Sequence, residues 1–436
     1  MNSFERLNKP PFTKTMHPET LALHGREPGT SPAVPIWQTA WIEDLDAVSP
    51  RFAHKALNAI YPNVSNPTQA ILEDRLAAFE GGAAALAFSS GQAASAAVVL
   101  NVARAGDNFV TSTDLYGGTW VLFANTLREL GIEARFVDPS DPENFRRATD
   151  DRTRLYYAET LPNPKLNVFP ISEVAEIGCG LGVPLVMDNT ASPLIVRPLE
   201  HGAAIVLYST TKYIGGHGTT IGGAIIDGGS FPWVENAGRF PLLTEPDDEH
   251  PDLIWTEIAK PFGPVAFALR ARFKLLANLG AALSPFAAFQ ILQGLDTLPV
   301  RMEQHCANAV VVAEYLATHP GVEKVHFPGL QSGEHRRRAD AYLRGGYGAL
   351  VGFELRGGAE AGKRFIDALK LIYHVANIGD ARTLAIHPAT TTHSQLSDED
   401  QLATGVTPGY VRLSVGIEHP DDIITDLTQA LASIQA

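Results

Sequence analysis

The sequence predicts an α/β fold in which a mostly parallel sheet is covered by helices, with a smaller α+β domain at its C-terminal end. Three observations carry that prediction. Between about residues 83 and 226, short apolar runs alternate with longer amphipathic stretches, the pattern of repeated strand-then-helix units. After about residue 290 the pattern turns to long helix candidates such as VRMEQHCANAVVVAEYLATH mixed with short strands like ALVGFEL and YVRLSVGI. At 436 residues the chain has room for two or three domains, and a protein this size buries about 75% of its unfolded surface without staples. Accordingly, its two cysteines, Cys179 and Cys306, form neither a disulfide framework nor a metal or redox motif.

Charge narrows the partners. With 34 Lys and Arg against 48 Asp and Glu, the formal charge is −14, which disfavours nucleic acid as a ligand. The opening MNSFERLNKPPFTKTMHPET has no signal-like apolar core, and no run of 18 apolar residues follows, so the expectation is a cytoplasmic protein without a membrane span.

Taken in order, residues 1–60 are Pro-rich and aperiodic and read as an N-terminal arm that wraps a neighbouring copy. Residues 61–289 read as the large domain. Its predicted strands lie in AAALAF, NFVTST, IEARFVD, RLYYAE, VPLVMD and AAIVLYS, and its helices include SAAVVLNVAR and WVLFANTLREL. Residues 230–262, acidic and Pro-containing, interrupt the alternation and are expected to form an insertion near the site. Residues 290–436 read as the α+β domain. In open α/β sheets ligands sit beyond the carboxyl ends of the strands, which directs attention to SSGQ, DLYGGT, ETLPNP, DNT and STTK.

Of these, YSTTKYIGGHG (208–218) is the strongest signal. Lys212 follows three hydroxyl residues after an apolar run, so hydroxyls and amides can hold a phosphate while a desolvated amine forms a Schiff base with an aldehyde. An isolated Thr-Lys pair would read as a solvated loop lysine. In SSGQAA, Gly91 and Gln92 open a helix and offer free N–H groups to an anion, although helix-opening SxG runs commonly serve packing alone. Asp188 ends the apolar strand of VMDNT and needs a cationic partner or a capping role. A protonated pyridine nitrogen is such a cation, and the combination suits pyridoxal 5'-phosphate. Tyr116 of DLYGGT can stack on an aromatic ring or pack in the core.

Together with TLALHG, YPNVSNPT, LEDRLAAFEGG, HPATTTH and VRLSVGIE, these motifs resemble the Cys/Met-metabolism family of pyridoxal-phosphate enzymes over nearly the whole chain. The insertion with FPLLTEPDDEH and the NIGDARTLAIHPATTTHSQL block are most similar to its O-acetylhomoserine sulfhydrylase branch. The resemblance implies the fold-type I, aspartate-aminotransferase-like architecture. It makes Lys212 the cofactor-linked lysine and acid/base, places Tyr116 on the ring, pairs Asp188 with the ring nitrogen and sets Asn163 near the phenolic oxygen. Gly91, Gln92, Ser209 and Thr211 are then the phosphate ligands, joined by Tyr61 from the neighbouring subunit of a homotetramer built as a dimer of dimers. Arg412, assisted by the backbone of Asn377, binds the carboxylate of an amino-acid substrate. The implied reaction is γ-substitution, O-acetyl-L-homoserine and sulfide or a thiol giving homocysteine or a thioether and acetate; elimination, as in methionine γ-lyases and cystathionine lyases, and a non-sulfur nucleophile are the alternatives.

Two positions depart from the family pattern. Asn63 stands where the family has a phosphate-binding arginine, which predicts a weaker phosphate grip unless another cation such as Arg51 compensates, and Ala204 replaces an acidic or amide residue, with a local effect expected. HRRRAD near 335 reads as a solvated helix face, His387 and His393 are expected to shape the pocket, and TEPDDEH reads as a surface or cleft-edge loop rather than a calcium site. No metal is expected.

Overall fold

The computed structural model describes residues 17–24, 34–39, 63–392, 394, 397–403 and 405–435. Its larger sheet has seven strands in the order β1-β7-β6-β5-β4-β2-β3. These are β1 (Ala84–Phe88), β2 (Asn108–Ser112), β3 (Glu133–Val137), β4 (Thr153–Glu159), β5 (Leu185–Asp188), β6 (Ile205–Tyr208) and β7 (Gly223–Asp227). Only β7 runs against the rest, pairing antiparallel with both β1 and β6, so the sheet is mostly parallel as the alternation predicts. Every residue of β4 is buried, as expected for a strand covered by helices on both faces.

A five-stranded sheet follows in the order β10-β11-β12-β9-β8. Its strands are β8 (Val322–His326), β9 (Leu350–Leu355), β10 (Tyr373–His374), β11 (Leu384–Ile386) and β12 (Tyr410–Ser414). The 21-residue helix Leu298–Thr318 leads into it and buries Met302, Cys306, Ala309, Val312, Ala313 and Leu316, the stripe expected of a 3.6-residue period. One apolar core runs from Ile71 in helix Pro67–Glu80 to Leu431 in helix Pro420–Gln435 and so reaches both sheets.

Residues 230–262 correct the sequence reading. Trp233, Phe240, Leu243, Leu253 and Trp255 are buried in a second core with Val98, Phe109 and Phe267, and Trp233 stacks on Phe267 at 5.7 Å between ring centroids. The acidic TEPDDEH is held by Lys274, which pairs with Asp247 at 2.7 Å and Glu249 at 2.8 Å. Composition identified the polar shell of this stretch and concealed the aromatic residues that bury it. Among the described residues no helix is long and apolar enough to cross a membrane.

Candidate active site

Three neighbouring parallel strands, β4, β5 and β6, end side by side and build one wall of the site. Their register sets Glu159 beside Asp188, and Asp188 beside Leu207. Leu185, Val186 and Met187 drive β5 into the core, so its last side chain is carried into a largely desolvated place. Burial raises the Asp188 carboxyl, against the hydrogen bonds that favour its charge. Its Oδ1 accepts from the Thr190 amide (2.9 Å) and hydroxyl (2.5 Å), and its Oδ2 accepts from the Tyr157 hydroxyl at 3.4 Å. Thr190 also receives the Ser209 amide at 2.8 Å, which ties the end of β5 to the turn after β6. Burial and the neighbouring Asp188 raise Glu159 well above the carboxylate range.

That turn carries Lys212. It is closed by Lys212 N–H to Ser209 O (3.2 Å), Gly215 N–H to Thr210 O (2.9 Å) and Gly216 N–H to Lys212 O (2.8 Å). Arg301 secures it from the other side by donating to the carbonyls of Tyr213 (2.7 Å), Ile214 (3.2 Å) and Gly294 (2.6 Å). Burial, helped by the Arg412 charge, lowers the Lys212 amine to about 8, where a substantial fraction is neutral and nucleophilic. Next to the turn, helix Gly91–Leu100 begins with Ser90 as its cap, the side chain accepting from Ala93 N–H. Its first amides have no partner within the helix. A Cβ at Gly91 would lie 2.8 Å from Ser209 Cβ, and one at Gly223 would lie 2.1 Å from Ser90 O, so both glycines are required for this close approach. Thr211 differs from its predicted role in one respect: its hydroxyl donates to Gly222 O at 3.1 Å and accepts from Gly222 N–H at 3.0 Å.

The smaller sheet supplies the opposite wall. Arg412 on β12 is buried, and its Nη2 donates to the Asn377 carbonyl at 2.8 Å. Asn377 also presents its Oδ1 to Lys212 Nζ, at 2.5 Å, so one residue joins the amine to the guanidinium. Tyr116 leaves more than half of its surface exposed at the cavity, its ring held close to Gly118 and beside Gln92. The space enclosed is about 280 Å³.

Gly91, Gln92, Tyr116, Asn163, Asp188, Ser209, Thr211, Lys212, Asn377 and Arg412 all line this cavity. Tyr61 and Arg51 lie outside the described residues, as does His393. Asn63 donates to Ala277 O at 3.1 Å and does not line the cavity, and neither does any residue of 230–262. His387 does not line it either: it is buried between the Thr390 hydroxyl (2.8 Å) and Pro408 O (2.8 Å), a structural position. In the basic helix Gly333–Tyr342, Arg336 and Arg337 face solvent, but Arg338 is buried against Glu173 and Glu334. Sequence reasoning singled out the segments ETLPNP and DNT but gave no role to Glu159 or Thr190, which line the cavity, and it missed Arg301 behind it. The rule of looking at strand ends reaches Glu159, the last residue of β4, without assigning it a role; nothing local marks Arg301.

Two buried atoms of these cavity-lining residues, Asn163 Oδ1 and Arg412 Nε, have no hydrogen-bond partner among the described residues. With a helix N-terminus for a phosphate, a carboxyl for a ring nitrogen and a near-neutral lysine for an aldehyde, the residues present fit pyridoxal phosphate. Comparison with known proteins agrees. The sequence profile described as Cys/Met metabolism PLP-dependent enzyme matches residues 19–432. An O-acetyl-L-homoserine sulfhydrylase of Leptospira meyeri is 52% identical over 434 residues, covering 97% of this chain and 98% of the relative. A homocysteine synthase of Schizosaccharomyces pombe is 45% identical over 423 residues, covering 95% and 98%. A solved Campylobacter jejuni protein assigned as an O-acetylhomoserine (thiol)-lyase, carrying a pyridoxyl-lysine phosphate, superimposes with a TM-score of 0.92 at 38% identity, covering 96% of this chain and all of that one. The architecture is therefore fold-type I, the cofactor is pyridoxal phosphate, and the chain belongs to the Cys/Met-metabolism family of PLP-dependent enzymes.

Proposed function

We propose that this enzyme replaces the acetoxy group of O-acetyl-L-homoserine by sulfide, giving homocysteine and acetate. The observation that carries the reading is Arg412: a buried guanidinium that forms no ion pair among the described residues and sits one residue, Asn377, away from the Lys212 amine. A planar donor pair placed there suits the carboxylate of an amino acid whose α carbon then faces Lys212. The names of the relatives supply the donor and the nucleophile.

Pyridoxal phosphate, when bound, supplies an aldehyde for amine linkage and a ring that stores the electron pair left by a departing α proton. The chain's own residues divide the remaining work. With pyridoxal phosphate bound, Lys212 Nζ would hold its aldehyde and, once displaced by the substrate amine, would remove the α and then the β proton, so that the acetoxy group can leave the γ carbon. Asp188 would keep a proton on the ring nitrogen, Tyr116 would stack on the ring, and Asn163 would meet the phenolic oxygen. Gly91, Gln92 and Ser209 hold the phosphate, with Thr211 joining them when its hydroxyl turns from Gly222. Tyr61 completes the phosphate site from a neighbouring copy in a cytoplasmic homotetramer. The N-terminal arm (1–60), the large domain (61–289) and the C-terminal domain (290–436) are the units of this reading, with the cavity at the junction of the latter two.

The test is mass spectrometry of products from O-acetyl-L-homoserine with enzyme and cofactor, with and without sulfide. Sulfide-dependent homocysteine is expected. Release of 2-oxobutanoate regardless of sulfide would replace substitution by elimination.

A further inference from the structure

We propose that Glu159 is the positioning residue of this cavity, a single carboxylate that fixes the backbone beneath Tyr116 and Asn163 and lies alongside Asp188. The inference rests on the reading of the cavity as the cofactor site and assigns a role to a residue that takes no part in that reading.

Glu159 is the last residue of β4 and is buried. Its Oε1 accepts from the Tyr116 amide at 2.6 Å, and the carboxylate also accepts from the amide of Asn163. Tyr116 stands at the start of helix Gly117–Val121, which has no side-chain cap. The carboxylate therefore does for the Tyr116 loop what a capping residue would do, holding one of the amides that a helix start leaves open. Two loops that reach the cavity from different strands thus share one anchor. A second tie joins the same loops at the edge, Lys165 Nζ to Asp114 at 2.7 Å.

The position beside Asp188 adds an electrostatic role. Two desolvated carboxylates on neighbouring strands disfavour a second negative charge, so the pair holds protons more tightly than either acid alone. The other titratable groups around them are Asp114 on the loop, Tyr157 on β4, and Tyr116, Lys212 and Arg412 facing the cavity.

The experiment reconstitutes the full-length protein with pyridoxal phosphate and reads dissociation constant and visible circular dichroism, with no substrate present. Glu159→Ala is expected to weaken binding tenfold or more and to reduce the dichroic band at saturation. Glu159→Gln keeps an acceptor for the Tyr116 amide, so its affinity stays within about threefold of wild type and its dichroic band is retained. Should Glu159→Ala fail to fold, Glu159→Asp carries the test: it withdraws the acceptor and predicts weaker binding. Wild-type affinity and dichroism in Glu159→Ala would overturn the proposal, or in Glu159→Asp if Glu159→Ala does not fold; so would a Glu159→Gln variant that loses affinity and dichroism as Glu159→Ala does. A wild-type protein that takes up no cofactor would sink the reading of the cavity itself, and the inference with it.

Discussion

The two walls of the cavity carry buried charge of opposite sign, and neither neutralises the other. On the large-sheet side, burial pushes Asp188 and Glu159 up; across from them it pushes Lys212 and Arg412 down. Elsewhere among the described residues several buried charges are paired: Arg272 with Glu73 at 2.6 Å, Arg154 with Asp107 at 2.6 Å, and Arg75 with Asp296 at 2.5 Å. None of the four cavity charges forms an ion pair among the described residues. Desolvated, unpaired charge destabilises a fold, so the gathering of both signs around this cavity marks it as a place that a ligand with both signs completes.

The largest break in that arrangement is removal of the amine. Lys212→Ala is expected to lower kcat about 10³-fold or more, since it removes both the cofactor link and the proton carrier. Borohydride reduction of the loaded wild type, followed by peptide mapping, should find the label on Lys212; a label on another lysine would refute the assignment. Next in size is the guanidinium. Arg412→Ala is expected to raise KM for the amino acid roughly 10- to 100-fold, the loss of charge-assisted hydrogen bonds at about 1.5 to 3 kcal/mol, with a smaller change in kcat. An unchanged KM would move the carboxylate site elsewhere.

How much of this could be read from the chain follows from where the information lies. Lys212, Asp188 and Gly91 are legible because each sits at the end of an apolar run, where α/β sheets place chemistry, and the structure gathers them into one cavity. Asn377 was expected to help through its backbone, and its carbonyl does accept from Arg412; its side chain also meets Lys212, a contact between residues 165 positions apart that no local pattern encodes. Arg301 is still less visible, since it acts on three carbonyls contributed by the Lys212 turn and the preceding helix. The insertion misleads for the opposite reason: its charges are conspicuous in sequence, while its fate is decided by Trp233 and Trp255 finding the core.

A smaller effect sharpens the comparison on the cationic side. Because the folded protein holds the Lys212 amine at about 8, the reactive neutral form grows as pH rises toward that value and is nearly complete above it. Cofactor uptake by the apoprotein should therefore be roughly tenfold slower at pH 7 than on its alkaline plateau. Arg412→Ala removes the cation whose repulsion helps lower Lys212, so the same profile should move to higher pH. Stopped-flow mixing at a series of pH values checks both, and a flat profile would remove Lys212 from the rate-determining step.

The smallest effect uses an acid behind the site as an internal control. Glu80 is buried, accepts from the Tyr208 hydroxyl and from Asn189 (3.3 Å), and is raised by burial to about 7. Tyr208 and Asn189 adjoin Ser209 and Asp188, yet Glu80 does not line the cavity. The folded state thus keeps a proton that the unfolded chain, at 4.5, has already lost. This contribution to stability is present below pH 4.5 and disappears as pH rises through about 7, with an upper bound of about 3 kcal/mol. Glu80→Gln cannot titrate, so calorimetry from pH 4 to 8 should show a flatter stability profile for the variant than for wild type; equal slopes would show that Glu80 is already charged. Asp188 adds a slope of the same sign in the apoprotein, and loading with pyridoxal phosphate should reduce that part alone, because the ring nitrogen meets Asp188 and not Glu80, which does not line the cavity.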